Sequence, residues 1–182
     1  MSLDFEAFPK MARLSREIII TEKIDGTNAQ ICIGENGEFL VGSRKRWITP
    51  EDDNYGFARW AHENKDDLMT LGHGRHFGEW WGQGIQRRYD MDRKAFSLFN
   101  VSRWAAERPE CCDVVPILYR GDFSQSNIEL CLDGLKQLGS LASPGFMNPE
   151  GVIVFHTAAN IGFKKTIHKD EIPKSLAALT QP

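Results

Sequence analysis

Short apolar runs bounded by turn residues recur along the chain, and helical spacing replaces them in only a few places. "EIIITE" at Glu17 to Glu22 reads as a buried strand. Ala29 to Ile33 and Glu38 to Ser43 flank "GENG", which predicts a hairpin with Asn36-Gly37 at its turn. From Asp52 to Leu71 the pattern shifts: Tyr55, Trp60, Leu68 and Leu71 mark a partly apolar face among charges, which predicts a helix. Further strands are predicted at "RHFGEWWG", at "KAFSLFNVSRW" and around Val114 to Tyr119. Ser124 or Ser126 is placed to cap a helix that runs to Leu138 and closes at Gly139. "EGVIVFH" and "NIGFKKT" predict a last strand pair, and the tail after Asp170 a short helix behind Pro173. Strands outnumber helices and do not alternate with them. The expected class is therefore α+β, antiparallel sheets with flanking helices, and not a doubly wound nucleotide fold.

Composition narrows the partners. At 182 residues, with 41% hydrophobic and 26% charged, one domain spanning 1–182 is expected, with no recognisable C-terminal accessory domain. The net charge of −3 argues against bulk attraction to nucleic acid, so any such binding must be local. Arg44-Lys45-Arg46, Arg87-Arg88 and Lys164-Lys165 are basic clusters, each alone readable as a solvated face. Cys32, Cys111, Cys112 and Cys131 form no C-x-x-C pair, which argues against a zinc site or a disulfide framework. His73 and His76 have no third ligand at a suitable spacing. Without a signal peptide or long apolar segment, the expectation is a cytoplasmic protein with no membrane association. No G-x-x-x-x-G-K-[ST] occurs, and "GQG" at Gly82 to Gly84 lacks the rest of a dinucleotide fingerprint.

"TEKIDGTNA", Thr21 to Ala29, directly follows the first apolar run. Asp25-Gly26 is good turn chemistry and would suit a surface hairpin, but that leaves Lys23 and Asn28 unexplained. Lysine is the natural nucleophile when the intermediate is a phosphoramidate or an imine, provided that it first loses its proton. Its ordinary pKa is ~10.4, and each unit of depression is worth ~1.4 kcal/mol. Desolvation and nearby cations lower it, and Lys164-Lys165 are the obvious neighbours. Those lysines are also suited to clamp phosphate oxygens. Glu79 and Glu150 each adjoin a glycine in or beside an apolar strand. Either they cap strand ends in water, or one takes a ribose hydroxyl while the other holds a divalent metal. Phe96 reads as core and Trp80-Trp81 as packing, whereas Phe99, next to polar Asn100, is placed to offer its ring to a purine.

The ordered set Lys23-x-Asp25-Gly26-x-Asn28, Ser43-Arg44, Phe77-Gly78-Glu79, Leu98-Phe99-Asn100-Val101, Glu150-Gly151-Val152-Ile153 and Phe163-Lys164-Lys165-Thr166 resembles the covalent nucleotidyltransferase superfamily of ATP-dependent ligases and RNA capping enzymes. The resemblance runs from about Glu17 to Thr166 and implies a ligase-type adenylyltransferase (ATP-grasp-like) domain. Asn28, where DNA ligases carry arginine, is similar to the RNA ligase 2-like branch. The implied activity is ATP-dependent RNA ligation in RNA repair, with ATP and Mg²⁺ or Mn²⁺ as cofactors. The implied partner is RNA with 5′-phosphate and 3′-hydroxyl ends. By the same resemblance Lys23 becomes adenylylated, Glu22 faces the adenine, and Arg44 reaches the ribose or the incoming phosphate. Glu79 takes the ribose, Phe99 stacks on adenine, Glu150 serves the metal, Lys164 holds the α-phosphate and Asn28 meets the phosphate of the RNA end. Three features depart from the pattern. The last block usually reads lysine, any residue, lysine, which leaves the second lysine as Lys165 or missing. Asn100 stands where an acid is frequent. The chain stops soon after the last block, where family members add a further domain, so a protein partner supplying one is also an expectation. A DNA ligase, a capping guanylyltransferase and a non-catalytic RNA-binding or regulatory module remain as alternatives.

Overall fold

The computed structural model describes residues 4–170. In chain order it contains β1 (Glu17–Lys23), β2 (Thr27–Ile33), β3 (Phe39–Ser43), β4 (Trp47–Ile48), α1 (Phe57–Glu63) and α2 (Lys65–Leu68). A 3₁₀ turn (Met69–Leu71) follows, then β5 (Gly74–Gly82), β6 (Lys94–Leu98), α3 (Val101–Trp104), β7 (Asp113–Val114) and β8 (Ile117–Asp122). The set closes with α4 (Gln125–Leu138), β9 (Gly151–His156) and β10 (Ile161–Thr166). The strands form two sheets, ordered β10-β9-β1-β8 and β4-β3-β2-β5-β6-β7. Every pairing is antiparallel except β6 with β7. This is the α+β architecture expected from the sequence.

Strand alternation divides the apolar residues into three clusters. Ile18, Ile20, Val152 and Val154 pack one face of the four-stranded sheet against Ile128, Leu132 and Leu135 of α4. Ile19, on the opposite face, joins Ile24, Trp81, Tyr89, Ala95, Val101, Val115 and Phe146 in a layer between the sheets. Ala29, Ile31, Val41, Trp80, Phe96 and Leu98 cover the far face of the six-stranded sheet, against Phe57, Ala58 and Ala61 of α1. Each such fully buried aliphatic side chain contributes about 1.5–3 kcal/mol. The continuous apolar run of β1 follows from this position, because one face of the strand meets α4 and the other meets the middle layer.

Several boundaries differ from the sequence-based expectation for stated reasons. The helix expected over 52–71 is three pieces. The Asp53 carboxylate accepts from the Ala58 and Arg59 amides and so holds the start at Phe57, while Asn64 (φ −106°, ψ 20°) interrupts the ladder. "KAFSLFNVSRW" is a strand only to Leu98. There the Asn100 side chain accepts from the Arg103 amide and starts the short helix α3. Ser124, not Ser126, caps α4, and Gly139 ends it at φ 82°. The helix expected behind Pro173 lies outside the described residues. Trp80 and Trp81 are both buried, donating from their indoles to the Tyr55 carbonyl and the Ser97 hydroxyl. Among the described residues no helix is long and apolar enough to cross a membrane.

Candidate active site

The end of β1, the turn after it and the start of β2 form one wall of a cavity of about 1140 Å³ between the sheets. Lys23, Asp25, Gly26 and Asn28 line it from this wall. Arg44, just beyond β3, and Glu79 of β5 line it from the six-stranded sheet, with Phe99 at the end of β6. Lys164 of β10, Ile153 and Phe155 of β9, and Ile19 line it from the four-stranded sheet.

Lys23 is the last residue of β1 and stands opposite Gly151 of β9. Its ammonium forms an ion pair with Glu150, whose side chain is only 2% exposed. Gly151 belongs beside this pair for a steric reason. Its φ is +154°, and a Cβ there would stand 2.7 Å from the Thr166 Cα. Of the two alternatives for Glu79 and Glu150, the one in which they cap strand ends in water is excluded. Both are buried, Glu150 against Lys23 and Glu79 against the turn.

The turn itself is bound on several sides. Gly26 passes so close to β5 that a Cβ would lie 2.7 Å from the Trp81 Cβ. The closeness lets the Gly26 amide donate to Glu79 at 2.9 Å, while the Asn28 amide donates to the other oxygen at 3.0 Å. Burial nevertheless pushes the Glu79 carboxyl up to about 7. The Gly26 amide and the Lys23 charge pull it back, and Glu150 and Asp25 add to the rise. Asn28 therefore reaches the cavity with its side chain already set by Glu79.

Asp25 has a partner that the sequence did not signal. Arg87 donates from Nε to the Asp25 carboxylate at 3.0 Å. Its Nη1 donates to the Asn148 carbonyl at 2.9 Å, the Asn148 side-chain oxygen at 3.1 Å and the Pro149 carbonyl at 3.3 Å. One guanidinium thus ties the turn after Lys23 to the segment that carries Glu150. The reading of Arg87-Arg88 as a solvated cluster is corrected for Arg87. Tyr89, fully buried, accepts from the Asp25 amide at 2.9 Å, and burial raises its phenol pKa well above the usual range. Both residues come from the β5–β6 loop, where Gln86, Arg88, Tyr89 and Asp90 all have positive φ. Such backbone is costly and persists only where the surroundings hold it. Apolar periodicity carries no trace of this loop; its density of Gly and charged residues is the one hint.

Two residues expected in the pocket direct their charged groups to the α4 side. Strand alternation turns the Glu22 side chain to the α4 face, opposite Val152. Its carboxylate there accepts from the Ser140 hydroxyl at 2.6 Å and from the Leu141 and Ala142 amides at 2.8 and 3.0 Å. Glu22 lines the cavity, while its carboxylate is engaged by the loop after α4. Lys165 also faces α4. It pairs with Glu129 at 3.5 Å and Asp170 at 3.9 Å, so it does not join Lys164. The residue that shares the Lys164 face is Thr166, whose hydroxyl donates to the His168 carbonyl at 2.9 Å.

An amine backed by a buried carboxylate, a second lysine across the cavity, a carboxyl beside a backbone amide and an exposed aromatic edge make an arrangement suited to phosphoryl chemistry on a nucleotide. The comparisons agree on the class. The sequence profile described as RNA ligase matches residues 16–169, and the chain belongs to that family. Among solved structures it is similar to RNA ligase of Naegleria gruberi. An apo lysine-to-alanine mutant matches at TM-score 0.63 and 18% identity over 84% of this chain and 50% of that one. A glutamate-to-alanine mutant with ATP and Mn matches at TM-score 0.67 and 18% identity, over 85% and 51%. A further mutant with ATP and Mn matches at TM-score 0.61 and 17% identity, over 84% and 49%. The chain thus spans about half the length of these relatives. No curated protein matches the sequence at a significant level.

Proposed function

We propose that this chain carries the nucleotide-transfer chemistry of an ATP-dependent RNA ligase. The observation that carries the reading is Lys23, held against buried Glu150 on the wall of a cavity that also takes in Asn28, Arg44, Glu79, Phe99 and Lys164. In the first step the Lys23 amine attacks the α-phosphorus of ATP. A P–N bond forms, the bond to pyrophosphate breaks, and the amine's proton has Glu150 as its nearest acceptor. AMP then passes to the 5′-phosphate of an RNA end, and a 3′-hydroxyl displaces it to form the phosphodiester. Charge builds on phosphoryl oxygens throughout, so cationic clamps count for more than a general base. Lys164 is placed for the α-phosphate, Glu79 for the ribose, Phe99 for the base and Arg44 for ribose or phosphate, with Asn28 toward the RNA end.

Two of the similar Naegleria gruberi structures hold ATP and Mn. Among the described residues no group of three or more His, Cys, Asp or Glu is placed to hold a metal ion. A single buried carboxylate, Glu150, fits a Mg²⁺ or Mn²⁺ ion that keeps water and binds mainly through nucleotide phosphates. Bound there, such an ion supplies Lewis-acid neutralisation of phosphoryl charge. Cytoplasmic RNA repair, and an accessory domain supplied by further chain or a partner, complete the reading.

Intact mass after incubation with ATP and Mg²⁺ or Mn²⁺ tests the first step. A gain of one AMP is expected for the chain and none for Lys23→Ala. The same mass gain in that variant would remove Lys23 from its role. GTP labelling in preference to ATP would point to capping instead, and no gain under any metal or pH would favour a binding module.

A further inference from the structure

Beyond the cavity, the inter-sheet face of the six-stranded sheet continues into solvent. Register fixes which side chains stand on it. Trp47, Gly42, Gln30 and Phe77 are cross-strand partners in one row, and Leu40, Cys32 and Arg75 in the next. The row nearest the cavity holds Asn28 and Glu79. Phe77 is 52% exposed, Trp47 44% and Leu40 47%, unusual exposures for three large apolar side chains on one sheet face.

The face is also ordered. The Arg75 guanidinium lies over the Trp47 ring, 5.4 Å from its centroid, and donates to the Gln30 side chain at 3.3 Å. At the other end of the row, a small cavity of about 120 Å³ lies among Arg75, Phe77, Phe99, Asn100 and Arg103. Phe99 and Asn100 line both this hollow and the main cavity, so the two are neighbours. Phe77 precedes Glu79 by two strand residues, ~7 Å.

Charge is one-sided here. Of the residues that β2, β3, β4 and β5 place on this face, Glu79 is the acid, and it is sunk in the cavity. Arg75 stands on the face, and exposed Arg44, just beyond β3, lines the main cavity. A face that alternates flat rings with guanidinium groups matches a strand whose bases are free to stack and whose phosphates are regularly spaced. In a duplex the bases are already stacked on one another, so exposed rings have little to gain from it.

We propose that this face, from Trp47 through Arg75 to Phe77, is the docking track for single-stranded RNA next to the end that enters the Lys23 cavity. Unpaired bases stack on Phe77 and Trp47, and Arg75 takes a phosphate. The inference rests on the RNA ligase reading above but concerns a surface outside the nucleotide cavity, so the two are separable.

The test uses Phe77→Ala, Trp47→Ala and Arg75→Ala in the 182-residue chain. Fluorescence anisotropy follows a 5′-phosphorylated single-stranded RNA and a nicked RNA duplex, while intact mass follows AMP capture. Phe77→Ala and Trp47→Ala should each weaken single-strand binding roughly 5- to 150-fold. Arg75→Ala should lower the slope of log affinity against log salt by about 0.7. AMP capture and the melting temperature should stay near the parent's, since these side chains are exposed, and Phe77→Tyr should restore binding. Unchanged single-strand affinity in the triple variant overturns the track, even where AMP capture succeeds. Affinity loss confined to Arg75→Ala, or equal for the duplex, overturns the stacking. If no variant captures AMP and yet Phe77→Ala loses single-strand affinity, the catalytic reading fails and the track stands.

Discussion

Glu79→Gln isolates one titration that the fold should display as stability. The carboxyl is buried beside the Gly26 amide and the Asn28 side chain, and its pKa lies near 7 against an ordinary 4.5. Between those values the folded chain keeps a proton that the unfolded chain has released. Stability from this group is therefore fully present below pH 4.5 and is lost as pH rises through 7. The distance from 4.5 to 7 corresponds to ~3 kcal/mol. Glutamine keeps the shape and one acceptor but cannot ionise. Urea unfolding of both proteins at intervals from pH 4 to 8.5 cancels the other titrating groups in the difference. The wild-type chain should lose about 3 kcal/mol relative to Glu79→Gln over that range, most of it between pH 5 and 7. Two parallel stability curves would refute the claim that burial dominates at Glu79.

Lys164→Ala and Lys165→Ala should separate cleanly, although the residues are adjacent. The first should suppress AMP capture by at least about 100-fold. The second should leave it within about twofold and cost less than ~1 kcal/mol, because its ion pairs with Glu129 and Asp170 are partly exposed. Equal effects on single-turnover labelling would contradict the assignment of opposite faces. Arg87→Ala should lower stability by about 2–4 kcal/mol, since it removes charged hydrogen bonds to Asp25, Asn148 and Pro149. It should also slow AMP capture roughly 100-fold at saturating ATP through misplacement of Lys23 against Glu150. Arg87→Lys should not restore the rate, because a point charge cannot span both segments. Recovery by lysine would show that charge alone matters.

Short apolar runs bounded by turn residues made the sheets legible, including β1 and the β2–β3 hairpin. The cavity's principal residues were also legible, because they sit in or beside those strands and match a family pattern. What stayed hidden depends on side chains acting over long range or on local backbone exceptions. Asp53 capping α1 and Asn100 capping α3 each override an apolar pattern that continues past the true boundary. The β5–β6 loop escapes for a deeper reason. Arg87 reaches Asn148, 61 residues further on, through a backbone whose positive φ values no propensity favours.

Glu22 and Lys165 show a different limit, set by the two-residue repeat of a strand. A motif read as a string lays neighbours side by side, so "EK" and "KK" seem to offer both members to one pocket. Alternation admits only one of each pair, and the antiparallel register decides which. Lys23 lines the cavity, so the Glu22 carboxylate turns to the α4 side; Lys164 lines it, so the Lys165 ammonium turns to α4. The rejected members are then used on the reverse side. Glu22 grips the loop after α4 through three donors, and Lys165 meets Glu129 of α4. Both strands that carry the cavity's lysines are thereby tied to one helical segment by the very next residue. Thr166, two positions past Lys164 on the same side of β10, is a neutral residue whose hydroxyl donates to the His168 carbonyl. The positive charge on this side of the cavity is therefore Lys23 and Lys164. The other cation lining the cavity, Arg44, stands across it beyond β3.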